Sequence, residues 1–232
     1  MNEPAGPYAT KSDYAYTRIR DGVLSGEFPP GTVLHQATLA KTIGISTTPL
    51  REAMRRLMTE GLVELDAHRD ARVSALSGEE ARDLLEVRRS LDPLAASLAA
   101  QRRTKEDIRY MREAAASLHA LPNRVSVVDL VAHRRFHTAI YVASHNDLLI
   151  STLDALWDKA DRYRRLGLQV ERDQAERDQK EREHAELLDA VIRGDSEGAA
   201  EVMLQHIATS LGAKAVSRLG ADDEPAVLTR LS

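Results

Sequence analysis

Gly44-Ile45-Ser46-Thr47-Thr48-Pro49-Leu50-Arg51-Glu52-Ala53-Met54-Arg55-Arg56-Leu57-Met58 joins a tight turn to an amphipathic helix, and the fold of the N-terminal third follows from it. Gly44 closes the short apolar segment before it, as a C-terminal cap does. Thr48 can then cap a new helix, Pro49 is tolerated at the first helical position, and Glu52 complements the dipole in the first turn. Leu50, Ala53, Met54, Leu57 and Met58 follow at the i, i+3, i+4, i+7, i+8 spacing of one buried stripe, and Arg51, Arg55 and Arg56 fall off it. The tight turn Gly44-Ile45-Ser46 thus joins a short helix to one that presents arginines to solvent.

Upstream, Ile19, Val23 and Leu24 give a first helix its apolar face, and Gly26 with the Phe28-Pro29-Pro30-Gly31 run stops it. Leu39, Ala40 and Ile43 mark the short second helix. Downstream, Gly61 ends the third helix, and Leu62-Val63-Glu64-Leu65 and Arg72-Val73-Ser74-Ala75 read as two short strands around the polar tip Asp66 to Ala71. Residues 11–76 are therefore expected to form a winged helix-turn-helix with a small β-hairpin wing, after a flexible N-terminus over residues 1–10.

From Ser77 onward the chain changes to long helical segments, nearly free of Gly and of β-branched runs. Helices are expected at about 78–101, 104–120, 125–144, 147–169, 173–193 and 195–217, with a kink at Pro93. An all-α domain over 77–219 and a loose tail over 220–232 complete a mainly α chain. The hydrophobic fraction of 43% supports real cores. With no cysteine, disulfides, thiolate metal sites and cysteine nucleophiles are excluded, which suits a reducing cytoplasm. Neither a signal-peptide pattern nor a membrane-spanning run is present, so a cytoplasmic protein is expected. The net charge of -4 does not favour polyanion binding by itself. Its distribution does, because residues 1–76 hold nine basic and nine acidic side chains, and the whole acidic excess lies behind them.

At Pro30-Gly31, Leu39-Ala40, Ile45 to Ala53 and Glu60-Gly61-Leu62-Val63 the chain closely resembles the DNA-binding half of the GntR family of bacterial regulators. Glu86-Val87-Arg88, Phe136-His137, Ser144-His145-Asn146, His184 and His206 resemble the ligand-binding domain of that family's FadR branch, the FCD domain. The resemblance implies a homodimer, a palindromic operator in double-stranded DNA, usually repression, and an organic acid bound near a metal in an antiparallel helical bundle. Two positions depart from the family pattern. Thr47 stands where Arg is usual, and the wing tip reads His68-Arg69-Asp70 where a Gly is common, so an operator sequence does not carry over.

In this context Arg51 and Arg55, four apart on one helix face, suit phosphate clamping or bidentate reading of guanine in the major groove. Ser46, Thr47 and Thr48 can donate to phosphates at the helix start, although Thr48 can equally be only a cap. His68 and Arg69 can reach the minor groove or a phosphate, or be polar because a hairpin tip is wet.

His133 and His137 are four apart on a helix whose same side carries Leu130, Ile140 and Tyr141, so both point inward. His184 precedes Leu187, Leu188 and Val191, and His206 stands beside Val202 and Met203. Converging neutral imidazoles leave donors and acceptors unpaired in a core, whereas a divalent ion uses one nitrogen of each. The family's motif is Asp, three residues, His, 46 residues, His, 21 residues, His; here both long intervals match and His133 replaces the Asp. An all-nitrogen set favours Zn, with Ni or Co as alternatives, over Mn or Mg, and leaves the ion more charge for an anion. Whether His133 itself coordinates stays open.

Arg88 stands where the family's Glu-Val-Arg helix often points an arginine at the effector, but an intrahelical pair with Asp92 accounts for it equally. Asn146 and Trp157 are further candidates for the effector pocket. The expected function is a DNA-binding regulator controlled by a small carboxylate held near the metal. Rival readings make the ion itself the signal, make it purely structural, or make the chain a metal-dependent hydrolase. The last lacks support, since no His-Glu-x-x-His pattern occurs and no carboxylate base is apparent beside His133 or His137.

Overall fold

The computed structural model describes residues 10–65, 70–118, 127–167 and 173–222. These form two compact units, Met1–Leu76 and Ser77–Ser232.

In the first unit α1 (Lys11–Ser25) starts at Thr10, whose side chain accepts from the Asp13 amide, and ends at Gly26 with a φ of 77°. The short strand β1 (Val33–Leu34) leads into α2 (Gln36–Ile43), and Gly44, at a φ of 73°, caps α2 through its amide before the chain turns into α3 (Thr47–Thr59). That left-handed conformation is the reason for glycine at the turn, since a Cβ is disfavoured there. The expected start of α3 shifts by two residues. Ser46 rather than Thr48 occupies the cap position and makes no side-chain cap bond, so Pro49 falls at the third helical position, where its missing N–H is still not required. Leu50, Ala53, Met54 and Leu57 of α3 are buried with Ala15, Ile19 and Val23 of α1 in one core.

The wing is larger than a hairpin. Strands β2 (Val63–Leu65) and β3 (Ala71–Val73) pair antiparallel, Val63 opposite Val73, and β1 joins the outer side of β3 to give the order β1-β3-β2. β3 also begins and ends earlier than the expected Arg72–Ala75 strand. The two residues of β1 carry no period-two signal, which is why the sequence pattern missed them.

The second unit is all helical: α4 (Gly78–Arg102), α5 (Lys105–Ala116), α6 (Val127–Val142), α7 (Asp147–Gly167), α8 (Gln174–Arg193), α9 (Ser196–Ala208) and α10 (Leu211–Asp222). α4 is the central helix, packed against α6, α7, α8, α9 and α10. Its Ala95, Ala96, Ala99 and Ala100 are fully buried, and such small side chains let neighbouring helices approach closely. The chain continues helically through Pro93. The expected helix over 195–217 is two helices, broken at Thr209 and Ser210, where the Ser210 hydroxyl accepts from the Ala213 amide and caps α10.

Candidate metal centre and nucleic-acid interface

α6 carries His133 and His137 on one face, α8 carries His184 and α9 carries His206, and all four imidazoles are buried. Ring centroids lie 4.6 Å apart for His133 and His137, 4.5 Å for His184 and His206, and 5.0 Å for His133 and His184. One nitrogen from each ring falls within 4.8 Å of the others. Nitrogens about 2.0–2.1 Å from a shared tetrahedral ion lie about 3.4 Å apart, so a contraction of no more than about 1.5 Å closes the set.

Hydrogen bonding says why these rings need a partner. Nδ1 of His133, both nitrogens of His137 and Nε2 of His184 are buried with no hydrogen-bond partner. Each such orphan costs about 1–3 kcal/mol, and His137 alone has two. His206 is the exception, its Nδ1 lying 2.9 Å from Oε2 of Glu183. With the proton on Nδ1, that contact leaves Nε2 unprotonated and available as a ligand. Burial first, then the neighbouring imidazoles and cations, holds His133, His137 and His184 well below the ordinary imidazole value. Burial lowers His206 too, against the opposing pull of Glu183. All four are therefore in the neutral form a metal requires. The residues present fit a divalent ion, with no carboxylate in the set.

Around the rings the described residues enclose a cavity of about 570 Å³, whose walls include the four histidines, Arg88, Trp157 and Arg164. Arg88 is tied by Nε and Nη2 to Asp92, at 3.2 and 2.9 Å. Asp92 also accepts from the Tyr141 hydroxyl, which in turn accepts from Nε1 of Trp157 at 3.2 Å. Arg88 thus pairs within its helix and also lines the cavity. Burial opposes its charge, but Asp92 and Tyr141 more than offset this and raise its pKa. Trp157 lies between cation and imidazole, with the Arg88 Cζ at 4.7 Å and the His137 ring at 5.3 Å from its centroid. Asn146 is elsewhere; its Oδ1 accepts from the Leu149 amide and caps α7.

Three participants escaped the sequence reading. Glu183 is the carboxylate that reading did not find, reaching His206 rather than His133 or His137, and its contacts with His206 and Lys180 overcome burial to hold it at about 2. Lys180 donates to Glu183 at 2.6 Å and to the His206 carbonyl at 3.2 Å. Arg164, 3% exposed, pairs with Asp161 at 2.7 Å, and its Cζ lies 4.9 Å from the Trp157 ring.

In the first unit Ser46, Thr47, Thr48, Arg51 and Arg55 are all exposed at the start and outer face of α3. Arg56 differs: it bonds Asp13 at 2.8 Å and covers the Tyr16 ring at 3.9 Å, fastening α3 to α1. The expected wing contacts His68 and Arg69 lie outside the described residues.

Comparison with known proteins agrees with this arrangement. Residues 11–73 match the family described as bacterial regulatory proteins, gntR family, and residues 83–209 match the FCD domain. The HTH-type transcriptional repressor GlaR of Escherichia coli is 29% identical over 84% of this chain and 92% of its own length. A probable D-xylose utilization operon transcriptional repressor of Paenarthrobacter nicotinovorans is 28% identical over 89% and 91%. Among solved structures, E. coli McbR/YncC superposes with a TM-score of 0.70 at 20% identity, over 93% of this chain and 99% of its own. A putative GntR regulator from Rhodococcus gives a TM-score of 0.64 at 19% identity, over 91% and 98%. A helix-turn-helix face of exposed hydroxyls and arginines joined to an FCD helical domain makes this chain a member of the GntR family, a DNA-binding transcriptional regulator.

Proposed function

We propose that this regulator is a cytoplasmic homodimer that binds a palindromic operator, most simply as a repressor, and whose DNA affinity is set by a small organic acid bound beside a divalent ion. Zn suits the site best, because four imidazole nitrogens form a set that it, Ni or Co accepts and that Mn or Mg disfavours. The observation that carries the reading is the pair of unpartnered nitrogens on His137, enclosed with three more imidazoles in one wall of a cavity of about 570 Å³. A structural ion needs no such space, whereas an organic ligand does. Bound there, the ion supplies fixed positive charge for a carboxylate; the chain supplies the imidazoles, Glu183 to orient His206, and Arg88 held in place by Asp92. Repression is what the relatives' names favour. Dimerisation has support from Val87 and Leu94, seven apart on α4 and 44% and 46% exposed.

Ser46, Thr47, Thr48, Arg51 and Arg55 take the operator, with His68 and Arg69 in the wing as further contacts. Metal analysis of the purified protein tests the centre: about one ion per chain is expected, and the H184A/H206A double variant is expected to lose it, since two of the three helices then offer no ligand. Full metal content in that variant, with the helical circular-dichroism signal intact, contradicts the site.

A further inference from the structure

The metal reading accounts for the imidazoles but not for Arg164. This side chain sits in the cavity wall on α7, its Nη1 is tied to Asp161 at 2.7 Å, and its Nη2 is buried with no hydrogen-bond partner. A guanidinium has only donors, so an open buried one calls for an acceptor that the described residues do not provide. Arg88 makes the contrast plain, since Asp92 occupies two of its nitrogens.

Charge points the same way. Asp92 offsets Arg88, and Asp161 offsets Arg164 while also lying 3.6 Å from Arg134. Four neutral imidazoles offset none of a divalent ion's charge, and Glu183, the carboxylate beside them, is paired with Lys180, so with an ion in place the cluster favours an anion from outside. The cavity wall holds both the imidazole cluster and Arg164. The guanidinium carbons of Arg88 and Arg164 and the rings of His133 and His137 all lie within 6 Å of the one indole ring of Trp157. The cavity of about 570 Å³ far exceeds the space of an ion with a few waters, each of which takes about 30 Å³.

We infer that the effector is a small dicarboxylate, one carboxylate lying at the imidazole cluster and the other accepting from Nη2 of Arg164. The inference rests on the effector reading above and adds the second anchor and the second charge. Arg164 sets the specificity for two-ended acids, since a monocarboxylate leaves its Nη2 as open as before. A planar fork also favours a carboxylate over a single acceptor.

Calorimetry on the full-length, Zn-loaded protein, with quenching of its single tryptophan as a second readout, decides the matter. The probes are the straight-chain dicarboxylates from malonate to adipate, each beside the monocarboxylate of equal chain length. At least one dicarboxylate is expected to bind tenfold or more tighter than its one-ended counterpart, and R164Q is expected to erase that advantage. R164K, which keeps the charge opposite Asp161, covers the case in which R164Q does not fold, and is expected to retain only part of the advantage. Equal binding of the two acid types to the native protein overturns the inference, as does an undiminished advantage in R164K or in folded, Zn-loaded R164Q. If monocarboxylates bind the loaded protein, the effector reading survives that result; if no acid of either series binds, both fall.

Discussion

His137 is 0% exposed, and neither of its ring nitrogens has a partner. In a protein that spends no ion there, this would be a poorly satisfied core; with an ion it is an ordinary ligand. The depressed values of the four histidines give this a pH signature. Arg88, Arg164 and Lys180 oppose a further positive charge in the cluster, with Glu183 pulling the other way. Because the folded-state values lie below the unfolded one, the unfolded chain takes up protons first as the pH falls through about 6.5. Stability of the metal-free protein is therefore full above that pH and declines below it, by up to about 1.4 kcal/mol per pH unit for each imidazole. Melting the metal-free protein from pH 8 to pH 5 should show the fall; a flat or rising Tm contradicts neutral, buried rings. At this scale the four histidines were legible, because i, i+4 spacing and apolar neighbours mark an inward face. Arg164 and Glu183 were not. Arg162, Arg164 and Arg165 follow Asp158 and Asp161 in a charged run that reads as a solvated surface, and only packing against other helices puts Arg164 inside.

α3 shows the same division at the scale of an element. Its apolar stripe fixed its orientation from sequence, since Leu50, Ala53, Met54 and Leu57 are the residues it buries. Its exact start was not legible, because Ser46, Thr47 and Thr48 are all competent caps and nothing local chooses between them. The break between α9 and α10 was missed for a related reason: neither Gly nor Pro punctuates Ala208-Thr209-Ser210-Leu211, and a capping serine is a weak signal within an apolar period. Functionally, the exposed arginines of α3 divide by neighbour. Arg56 is engaged with Asp13 and Tyr16, while Arg51 and Arg55 face solvent. R51A is accordingly expected to weaken operator binding by about 1–3 kcal/mol with no change in Tm beyond about 1–2 °C. Gel-shift titration on an operator recovered by selection from random DNA measures it; unchanged affinity at physiological salt removes Arg51 from the reading face.

For the whole molecule the sequence carried the architecture, a winged helix-turn-helix followed by a helical domain, because the switch from mixed, glycine-punctuated text to long helices is compositional. It did not carry the third strand of the wing or the cavity, which arise from pairings between distant segments. In the proposed function ion, acid and DNA binding are coupled. An acid can shift operator affinity only by binding the DNA-competent and incompetent states differently, and about 5–150-fold is the usual range. The direct measurement is operator affinity, with and without the strongest-binding acid of the calorimetric series, for Zn-loaded and for chelated protein. A shift of about that size is expected in the loaded protein, and none in chelated protein that circular dichroism shows to be folded. The same shift in both forms, or none in either, would contradict that coupling.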